Sequence, residues 1–324
     1  MPSRREVLVS VAMAGAAALL RPLKAAFAEP SHTPTKLSFK VPADACDCHV
    51  HIFGDRQRFP MSSPRTYTPA AASVDELLAL HRALHIDRVV IVQPSVYGTD
   101  NSCTLDAIKQ LGSRARGVAV IDEKTSAKVL DQMSRSGIRG VRINLGTAGQ
   151  NDAGVARERL QSTIEQVKGR DWHIQIYTNL AVIAAVEQQL MAAPMRFVFD
   201  HFGGAKASLG VQQPGFDSLR NMVQSGKAYV KISGAYRASS ESPDYPDVAP
   251  LAQALLAANP QRILWGSDWP HPDSGPRAGR RPEDLAPRLP VDDALVFNRL
   301  AVWAPEASLR KTILVDNPAR LYGF

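Results

Sequence analysis

The chain has 324 residues, which is enough for one large α/β barrel or for two smaller domains. Its hydrophobic content of 45% excludes a disordered or fibrous protein. The formal net charge of +7 is modest and scattered, with no basic patch interleaved with aromatic residues, so we expect no nucleic-acid partner. Three cysteines are too few for a disulfide framework. The sequence makes no prediction about the oligomeric state.

The first 28 residues have the pattern of an export signal. Arg4 and Arg5 precede an apolar run over residues 7–20, and an Ala-x-Ala site follows at 26–28. Paired arginines are typical of twin-arginine signals, which address folded proteins to the periplasm. An apolar run of about 14 residues is too short to span a membrane. We therefore expect a removable twin-arginine-like signal peptide at 1–28, a periplasmic protein and no membrane association after cleavage.

Residues 29–43 contain three prolines and predict an extended arm, and residues 44–324 predict the folded domain. In that domain, short β-rich runs alternate with segments of helical periodicity. The predicted strands are Ala45–Ile52, Arg88–Gln93, Gly117–Ile121, Gly140–Leu145, His173–Thr178, Arg196–His201, Ala228–Ser233 and Ile263–Asp268. The predicted helices are Val74–His85, Ser102–Gly112, Ser126–Ser136, Ala153–Gly169, Ala181–Ala192, Phe216–Ser225, Val248–Ala258, Asp292–Trp303 and Pro305–Val315.

Eight strands alternating with helices predict an α/β fold, a parallel sheet closed into a (β/α)8 TIM barrel. An open doubly wound sheet is the alternative, although no Gly-x-Gly-x-x-Gly turn follows any strand. In a barrel, the chemistry gathers at the C-terminal ends of the strands. His173 begins strand five, so we expect it at the barrel floor instead.

The first strand carries the pattern Asp-Cys-His-Val-His at 47–51. Side chains alternate between the faces of a strand, so we expect Asp47, His49 and His51 on one face and Cys48 and Val50 on the other. Cys46 and Cys48 are then expected to point outward, toward the covering helices. Two imidazoles two residues apart converge on one point, as a divalent metal ion or a polarised carbonyl group requires.

Further polar residues are expected at the same mouth. His201 ends strand six and Asp268 ends strand eight, so a closed barrel brings both of them to His49 and His51. Three imidazoles and a carboxylate are a ligand set for one zinc-like divalent ion with an open position for water. Without metal, the same four groups can hydrogen-bond a carbonyl group and deprotonate a water molecule. Both alternatives stay open at this point. His271, in a loop at the mouth, is a candidate for substrate binding or for support of the site.

These motifs resemble the amidohydrolase superfamily. The resemblance is carried by Asp-Cys-His-Val-His at 47–51, Val-Phe-Asp-His at 198–201 and Leu-Trp-Gly-Ser-Asp-Trp-Pro-His-Pro at 264–272. Within that superfamily the chain is similar to the 2-pyrone-4,6-dicarboxylate lactonases, from about Asp44 to Tyr322. The resemblance implies a distorted (β/α)8 barrel that hydrolyses a small carboxylated lactone. It assigns Asp268 as the base that activates water and places His49, His51 and His201 around the carbonyl group.

The same resemblance implies which residues hold the substrate. Tyr67, Arg142, Tyr177 and Arg237 correspond to positions that bind carboxylates or the carbonyl oxygen, with Arg237 expected in a loop. Guanidinium groups suit carboxylates because they donate two parallel hydrogen bonds.

Two departures affect the predicted substrate. Ala148 and Gly204 occupy places where the lactonases carry arginines, which predicts fewer or differently placed carboxylates on the substrate. The stretch Gly234–Val248 also resembles galactarolactone isomerases, so isomerisation of a sugar-acid lactone is an alternative to hydrolysis. A non-catalytic barrel that binds a solute without turnover is a third alternative. No lysine ends strand four or five, which argues against a carbamate-bridged pair of metals.

Overall fold

A computed structural model describes residues 35–147, 149–275 and 277–324 of the chain. Residues 36–324 form one compact unit. The predicted signal peptide at 1–28 lies outside the described residues, as do the first part of the predicted arm, Ala148 and Pro276. In the described part of the chain, no helix combines the length and the apolar character that are needed to cross a membrane.

Eight parallel strands follow one another around the sheet in chain order. They are β1 (Cys46–Val50), β2 (Arg88–Val92), β3 (Ala115–Ala119), β4 (Ile138–Asn144), β5 (His173–Tyr177), β6 (Phe197–Phe199), β7 (Ala228–Ser233) and β8 (Ile263–Gly266). Two further strands of two residues each, Thr68–Pro69 and Leu285–Ala286, pair with each other outside the barrel. All eight predicted strands are present, so the predicted (β/α)8 barrel is confirmed.

The helices lie between the strands and after the last one. They are α1 (Val74–Leu84), α2 (Ser102–Leu111), α3 (Ala127–Arg135), α4 (Ala153–Val167), α5 (Leu180–Ala192), α6 (Phe216–Gln224), α7 (Ala235–Ala238), α8 (Ala249–Ala258), α9 (Asp293–Asn298), α10 (Leu300–Trp303), α11 (Ala307–Lys311) and α12 (Asn317–Tyr322). The predicted helix Asp292–Trp303 is thus two helices. The predicted helix Pro305–Val315 starts two residues later and continues through a π-helical turn, Thr312–Asp316, into α12.

Polar side chains define where several of these helices begin. Ser73 and Glu76 form a capping box at the start of α1, each side chain accepting a hydrogen bond from the other residue's backbone N–H. The side chains of Ser126, Asp152 and Asn179 accept hydrogen bonds from the first turns of α3, α4 and α5. These caps satisfy backbone donors that a helix cannot satisfy itself, and they explain why the predicted starts are accurate to about one residue.

The barrel closes between β1 and β8, next to the predicted site. The backbone N–H of Asp268 donates to the carbonyl oxygen of His49 at 2.9 Å, and that of His51 donates to Trp269 at the same distance. Gly266 makes this approach feasible, because a Cβ atom there would lie 2.7 Å from the Cβ of His49. Closure of the barrel therefore directly links the histidine pair to the carboxylate.

The prediction that Cys46 and Cys48 point outward is wrong, because β1 contains a bulge. The pairing with β2 slips between Asp47 and Val50, so one extra residue is accommodated on β1. Cys46 and Cys48 are consequently packed with the inward residues Val90, Val198 and Tyr229 rather than against the helices. Asp47 points outward instead, where its carboxylate lies 3.4 Å from His81 on α1. Strict alternation holds only in a regular strand, and this strand is not regular.

The end of the chain fills the floor of the barrel. Tyr322 and Leu321 pack with the inward apolar residues of the strands, and Phe324 covers them. His173 lies there as predicted, with its ring edge-on to Tyr322 at 5.2 Å. Burial lowers the pKa of His173 to about 3, so this imidazole is neutral. The floor is therefore a closed apolar plug.

The described part of the arm packs onto the C-terminal helices. Phe39 makes an edge-on contact with the ring of Phe297 on α9, at 5.0 Å. Asn298 donates to the carbonyl oxygen of Lys36 and accepts from the backbone N–H of Ser38. Residues 36–43 therefore belong to the compact unit, although they form no helix or strand.

Candidate active site

One carboxylate oxygen, Asp268 Oδ1, is surrounded by three imidazole nitrogens at the mouth of the barrel. The distances to it are 3.6 Å from His49 Nε2, 3.8 Å from His201 Nε2 and 3.9 Å from His51 Nε2. All four side chains are buried. The four residues that the sequence pattern singled out therefore lie together.

Each imidazole is held through its other nitrogen. His51 Nδ1 lies 2.7 Å from the carbonyl oxygen of Val92, and His201 Nδ1 lies 3.0 Å from the hydroxyl of Ser233. His49 Nδ1 lies 3.2 Å from the carboxylate of Asp200. The carbonyl oxygen of Val92 only accepts, so Nδ1 of His51 carries the proton, whereas Nδ1 of His49 lies between the acceptor Asp200 and the donor Lys231 Nζ, the latter at 3.3 Å. In the neutral ring of His51 the Nε2 atom is then a bare lone pair that faces Asp268.

The second oxygen of Asp268 is fully engaged. The hydroxyl of Tyr236 and Nε of Arg237 each donate to Asp268 Oδ2 at 2.6 Å. Burial alone raises the pKa of Asp268, but Arg237 and the surrounding histidines hold that pKa well below its usual range. Asp268 is thus ionised at neutral pH with Oδ1 as its available acceptor. Arg237 itself lies on the short helix α7, not in the loop that we predicted.

The three imidazoles are neutral at physiological pH. Burial lowers the pKa of His51 to about 3, with the nearby Arg142 acting in the same direction. Burial likewise lowers the pKa of His201 to about 4, and that of His49 well below its usual range. Neutral imidazole is the form that binds metal ions.

A buried polar network below His49 was missing from the sequence prediction. Lys231, on β7, is fully buried, with Nζ 2.7 Å from Gln175 Oε1 and 3.5 Å from Asp200 Oδ1. Asp200 Oδ2 accepts from Gln175 at 3.0 Å and from Arg142 at 3.2 Å. These contacts fix the carboxylate that orients His49. The sequence did contain one signal for this network, a single lysine within the apolar run Ala228–Ser233. A charged side chain in such a strand requires an ionic partner inside the barrel.

The donor set fits a divalent metal ion. Ligand atoms of His49, His201 and Asp268 all lie within 4.8 Å of one another, while His51 is close to Asp268 but outside this compact group. In the described residues, His49 Nε2 and Asp268 Oδ1 are buried without a hydrogen-bond partner. A positive charge between these two atoms would compensate the burial of the carboxylate oxygen. Nitrogen and oxygen donors held by further hydrogen bonds are typical of metal centres.

Four of the five predicted substrate-binding residues line a narrow cavity above these groups. We call it the site cavity; its lining residues are His51, Tyr67, Pro94, Ser95, Arg142, Thr147, Tyr177, His201, Arg237, Pro272 and Ser274. The fifth, His271, does not line it. Its Nε2 lies 3.0 Å from Asp293, and its ring is edge-on to Tyr236. His271 therefore supports the tyrosine that donates to Asp268.

The backbone is strained at two of these four residues. His201 has φ of 48° and Asp268 has φ of 67°, values in the left-handed region that non-glycine residues rarely adopt. Two glycines make room beside them. A Cβ on Gly234 would lie 2.9 Å from Asp268 Oδ2, and one on Gly204 would lie 2.4 Å from the carbonyl oxygen of Thr178. With the local backbone of this chain, the position of Gly204 therefore has no space for a larger side chain.

Comparison with known proteins agrees with this geometry. A 4-sulfomuconolactone hydrolase of Hydrogenophaga intermedia is 35% identical over 295 residues, 91% of this chain and 93% of that protein. A 2-pyrone-4,6-dicarboxylate hydrolase of Comamonas testosteroni is 34% identical over 298 residues, which cover 89% of this chain and 93% of that protein. The solved structure of a putative 2-pyrone-4,6-dicarboxylic acid hydrolase from Pseudomonas putida is 32% identical, with a TM-score of 0.70 over 87% of this chain and 98% of that one. The family model described as amidohydrolase matches residues 46–324, and the chain therefore belongs to the amidohydrolase family of hydrolases.

Proposed function

We propose that this protein opens the ring of a small carboxylated lactone by hydrolysis. The observation that carries the proposal is the convergence of three neutral imidazoles on one oxygen of Asp268, at the base of a cavity that also contains two arginines. The arginines suit an anionic substrate, and the imidazole–carboxylate group suits water activation. The relatives named as lactone hydrolases support an ester bond, rather than an amide bond, as the bond that is cleaved.

We propose one divalent ion, zinc by the chemistry of its ligands, held by His49, His201 and Asp268 with His51 beside it. When bound, such an ion supplies Lewis acidity to the lactone carbonyl group and its oxyanion. The bare Nε2 atom of His51 cannot donate to an oxyanion itself. A metal-free mechanism in which His51 donates would require that ring to be protonated, and burial opposes that.

The protein's own residues position the reactants. Arg142 binds the substrate carboxylate from the wall of the site cavity, while Tyr67 and Tyr177 enclose the ring. Asp268 Oδ1 accepts a proton from the water molecule that attacks the carbonyl carbon. The ring C–O bond then breaks, and Asp268 returns that proton to the leaving oxygen. Arg237 and Tyr236 keep Oδ2 occupied, so the proton passes through Oδ1.

The test is an assay of muconolactone, 2-pyrone-4,6-dicarboxylate and D-glucaro-1,4-lactone, performed in oxygen-18 water. Hydrolysis incorporates one label into the product carboxylate. Isomerisation by attack of a substrate hydroxyl gives a product without label, and a solute-binding barrel gives tight binding without product. Turnover without label, or no turnover of any of the three, contradicts the proposed function.

We also propose that the mature protein acts in the periplasm, because Arg4 and Arg5 precede an apolar run and an Ala-x-Ala site. N-terminal sequencing of protein from a periplasmic extract should find a chain that begins at Glu29. Replacing both arginines by lysine should retain the precursor inside the cell. Equal export of that variant contradicts the twin-arginine route.

A further inference from the structure

A second, larger cavity adjoins the site cavity. It has a volume of about 580 Å³ and lies between the C-terminal ends of β2, β3 and β4 and helix α4. It shares Ser95, Arg142 and Thr147 with the site cavity, so Arg142 forms the boundary between the two. We call this space the side cavity.

The site cavity alone is too small for a lactone. The space that it leaves for the centre of a water molecule is about 10 Å³, which is room for about one water. Small-molecule sites usually enclose ~300 Å³ or more. The substrate ring must therefore extend past Arg142 into the side cavity, with only the reacting carbonyl group directed at Asp268.

Helix α4 turns a polar face toward the side cavity. Arg159, Ser162, Thr163 and Gln166 line it, and their spacing of three and four residues places them on one side of the helix. The apolar residues of the same helix, such as Leu160 and Ile164, are buried against the barrel. Thr163 and Gln166 already donate to the carbonyl oxygens of Arg159 and Asp122, whereas the side chains of Arg159 and Ser162 are available to a ligand without any loss of core packing.

The charges around the side cavity are mixed and partly free. The cations that line it are Arg65, Lys124, Arg142 and Arg159, and the acids are Asp122, Glu123 and Glu158. Asp200 engages Arg142, and Arg65 donates to Thr68 and to the carbonyl oxygen of Ser62. In the described residues, Lys124, Arg159, Glu123 and Glu158 form no ion pair. A carboxylate only accepts hydrogen bonds and is repelled by the acids, whereas a hydroxyl both donates and accepts. The lining therefore favours hydroxyl groups over a second carboxylate.

We infer that the side cavity is the binding site for the hydroxylated part of a sugar-acid lactone. In this arrangement Arg142 holds the single carboxylate, and the polar face of α4 binds the ring hydroxyls. The inference rests on the proposed hydrolysis of a lactone and makes its substrate class specific. It also assigns to α4 a role in specificity that is separate from the reacting groups.

The experiment compares D-glucaro-1,4-lactone, which carries hydroxyls, with muconolactone, which carries none. Thr163→Trp fills the side cavity, and we expect it to raise KM for the glucarolactone about tenfold while kcat changes little. Arg159→Gln removes the guanidinium group with its charge and should raise KM for the glucarolactone about threefold without affecting muconolactone. Arg159→Gln also keeps the test decisive if Thr163→Trp proves unstable in thermal unfolding.

Two matched controls lie on the same helix. Gln161→Trp introduces the same indole on the outward side, and Arg157→Gln removes the same charge away from the side cavity, so neither should change KM for the glucarolactone. Turnover of muconolactone or the pyrone without turnover of the glucarolactone overturns this inference alone. So does an unchanged KM in both cavity variants. Absence of turnover with every lactone instead contradicts the proposed function and, with it, the assignment of the side cavity.

Discussion

The two oxygens of Asp268 have different surroundings and therefore different roles. Oδ2 is bound by Tyr236 and Arg237, whereas Oδ1 faces the three imidazoles. Asp268→Asn would place a neutral amide where an acceptor is needed, so we expect kcat to fall about 10³-fold with little unfolding. Asp131→Asn, which removes a surface carboxylate paired with Arg170, is the control and should leave kcat unchanged. Steady-state kinetics on the best lactone of the panel measure both, and unchanged kcat in Asp268→Asn contradicts the mechanism.

Lys231 stabilises the carboxylate that orients His49. Burial lowers the pKa of Lys231, and Asp200 opposes that effect, so the pair is held together in the barrel interior. Lys231→Met removes one partner of a buried ion pair, and we expect a loss of about 3 kcal/mol of unfolding free energy and weaker zinc binding. Urea unfolding and chelator competition measure the two effects. Lys227→Met is the control. Lys227 directly precedes β7 and is only half-buried, so its replacement should not weaken zinc binding.

The pair of His271 and Asp293 makes stability depend on pH. Burial lowers the pKa of His271, but Asp293 outweighs burial and raises that pKa above its usual value. A raised folded-state pKa gives stabilisation that is complete below about pH 6.5 and is lost as the pH rises through the folded pKa. Asp293→Asn should therefore reduce the unfolding free energy by about 1 kcal/mol at pH 5.5 and by less at pH 8.5. In a His271→Gln background this pH dependence should disappear, and urea unfolding across that range tests both variants.

At the scale of elements, the turn from β7 into α7 brings the donors of Asp268 into place. Gly234 begins that turn with φ of 57°, and a Cβ there would lie within 3.0 Å of both Asp268 and His201. We expect Gly234→Ala to reduce kcat at least about tenfold, because the displaced carboxylate no longer meets the imidazoles. Gly210→Ala is the matched control, since Gly210 has φ of 63° but open space around its Cβ position. Both variants should lose about 1 kcal/mol of stability to backbone strain, and only the first should lose activity.

At the scale of the whole molecule, the C-terminal residues close the floor of the barrel beneath the site. Tyr322 is fully buried, and its hydroxyl has no hydrogen-bond partner in the described residues. Tyr322→Phe should therefore be neutral or slightly stabilising, because an unsatisfied polar atom is removed. Tyr322→Ala should cost about 3–5 kcal/mol by leaving a cavity. Urea unfolding distinguishes the two, and a strongly destabilised Tyr322→Phe would show that the hydroxyl is engaged.

The sequence alone determined the fold class, all eight strands and the four convergent residues. Each of these follows from local properties: β-rich runs of the right length, capping residues such as Ser73 and Asp152, and polar residues that end a strand. Once a parallel barrel is predicted, its geometry brings the strand ends to one mouth. That is why His49, His51, His201 and Asp268 could be grouped before any coordinates were known.

Only the tertiary structure decided which way β1 faces and what surrounds Asp268 and the three histidines. The bulge that turns Cys46 and Cys48 inward depends on pairing with β2, and no local pattern specifies it. The link of Lys231 to Asp200, and of Tyr236 to Asp268, joins residues more than 30 positions apart. Burial and contacts between distant segments determine the protonation states, the size of the cavity and which oxygen of Asp268 is free. These properties therefore cannot be predicted from local sequence patterns.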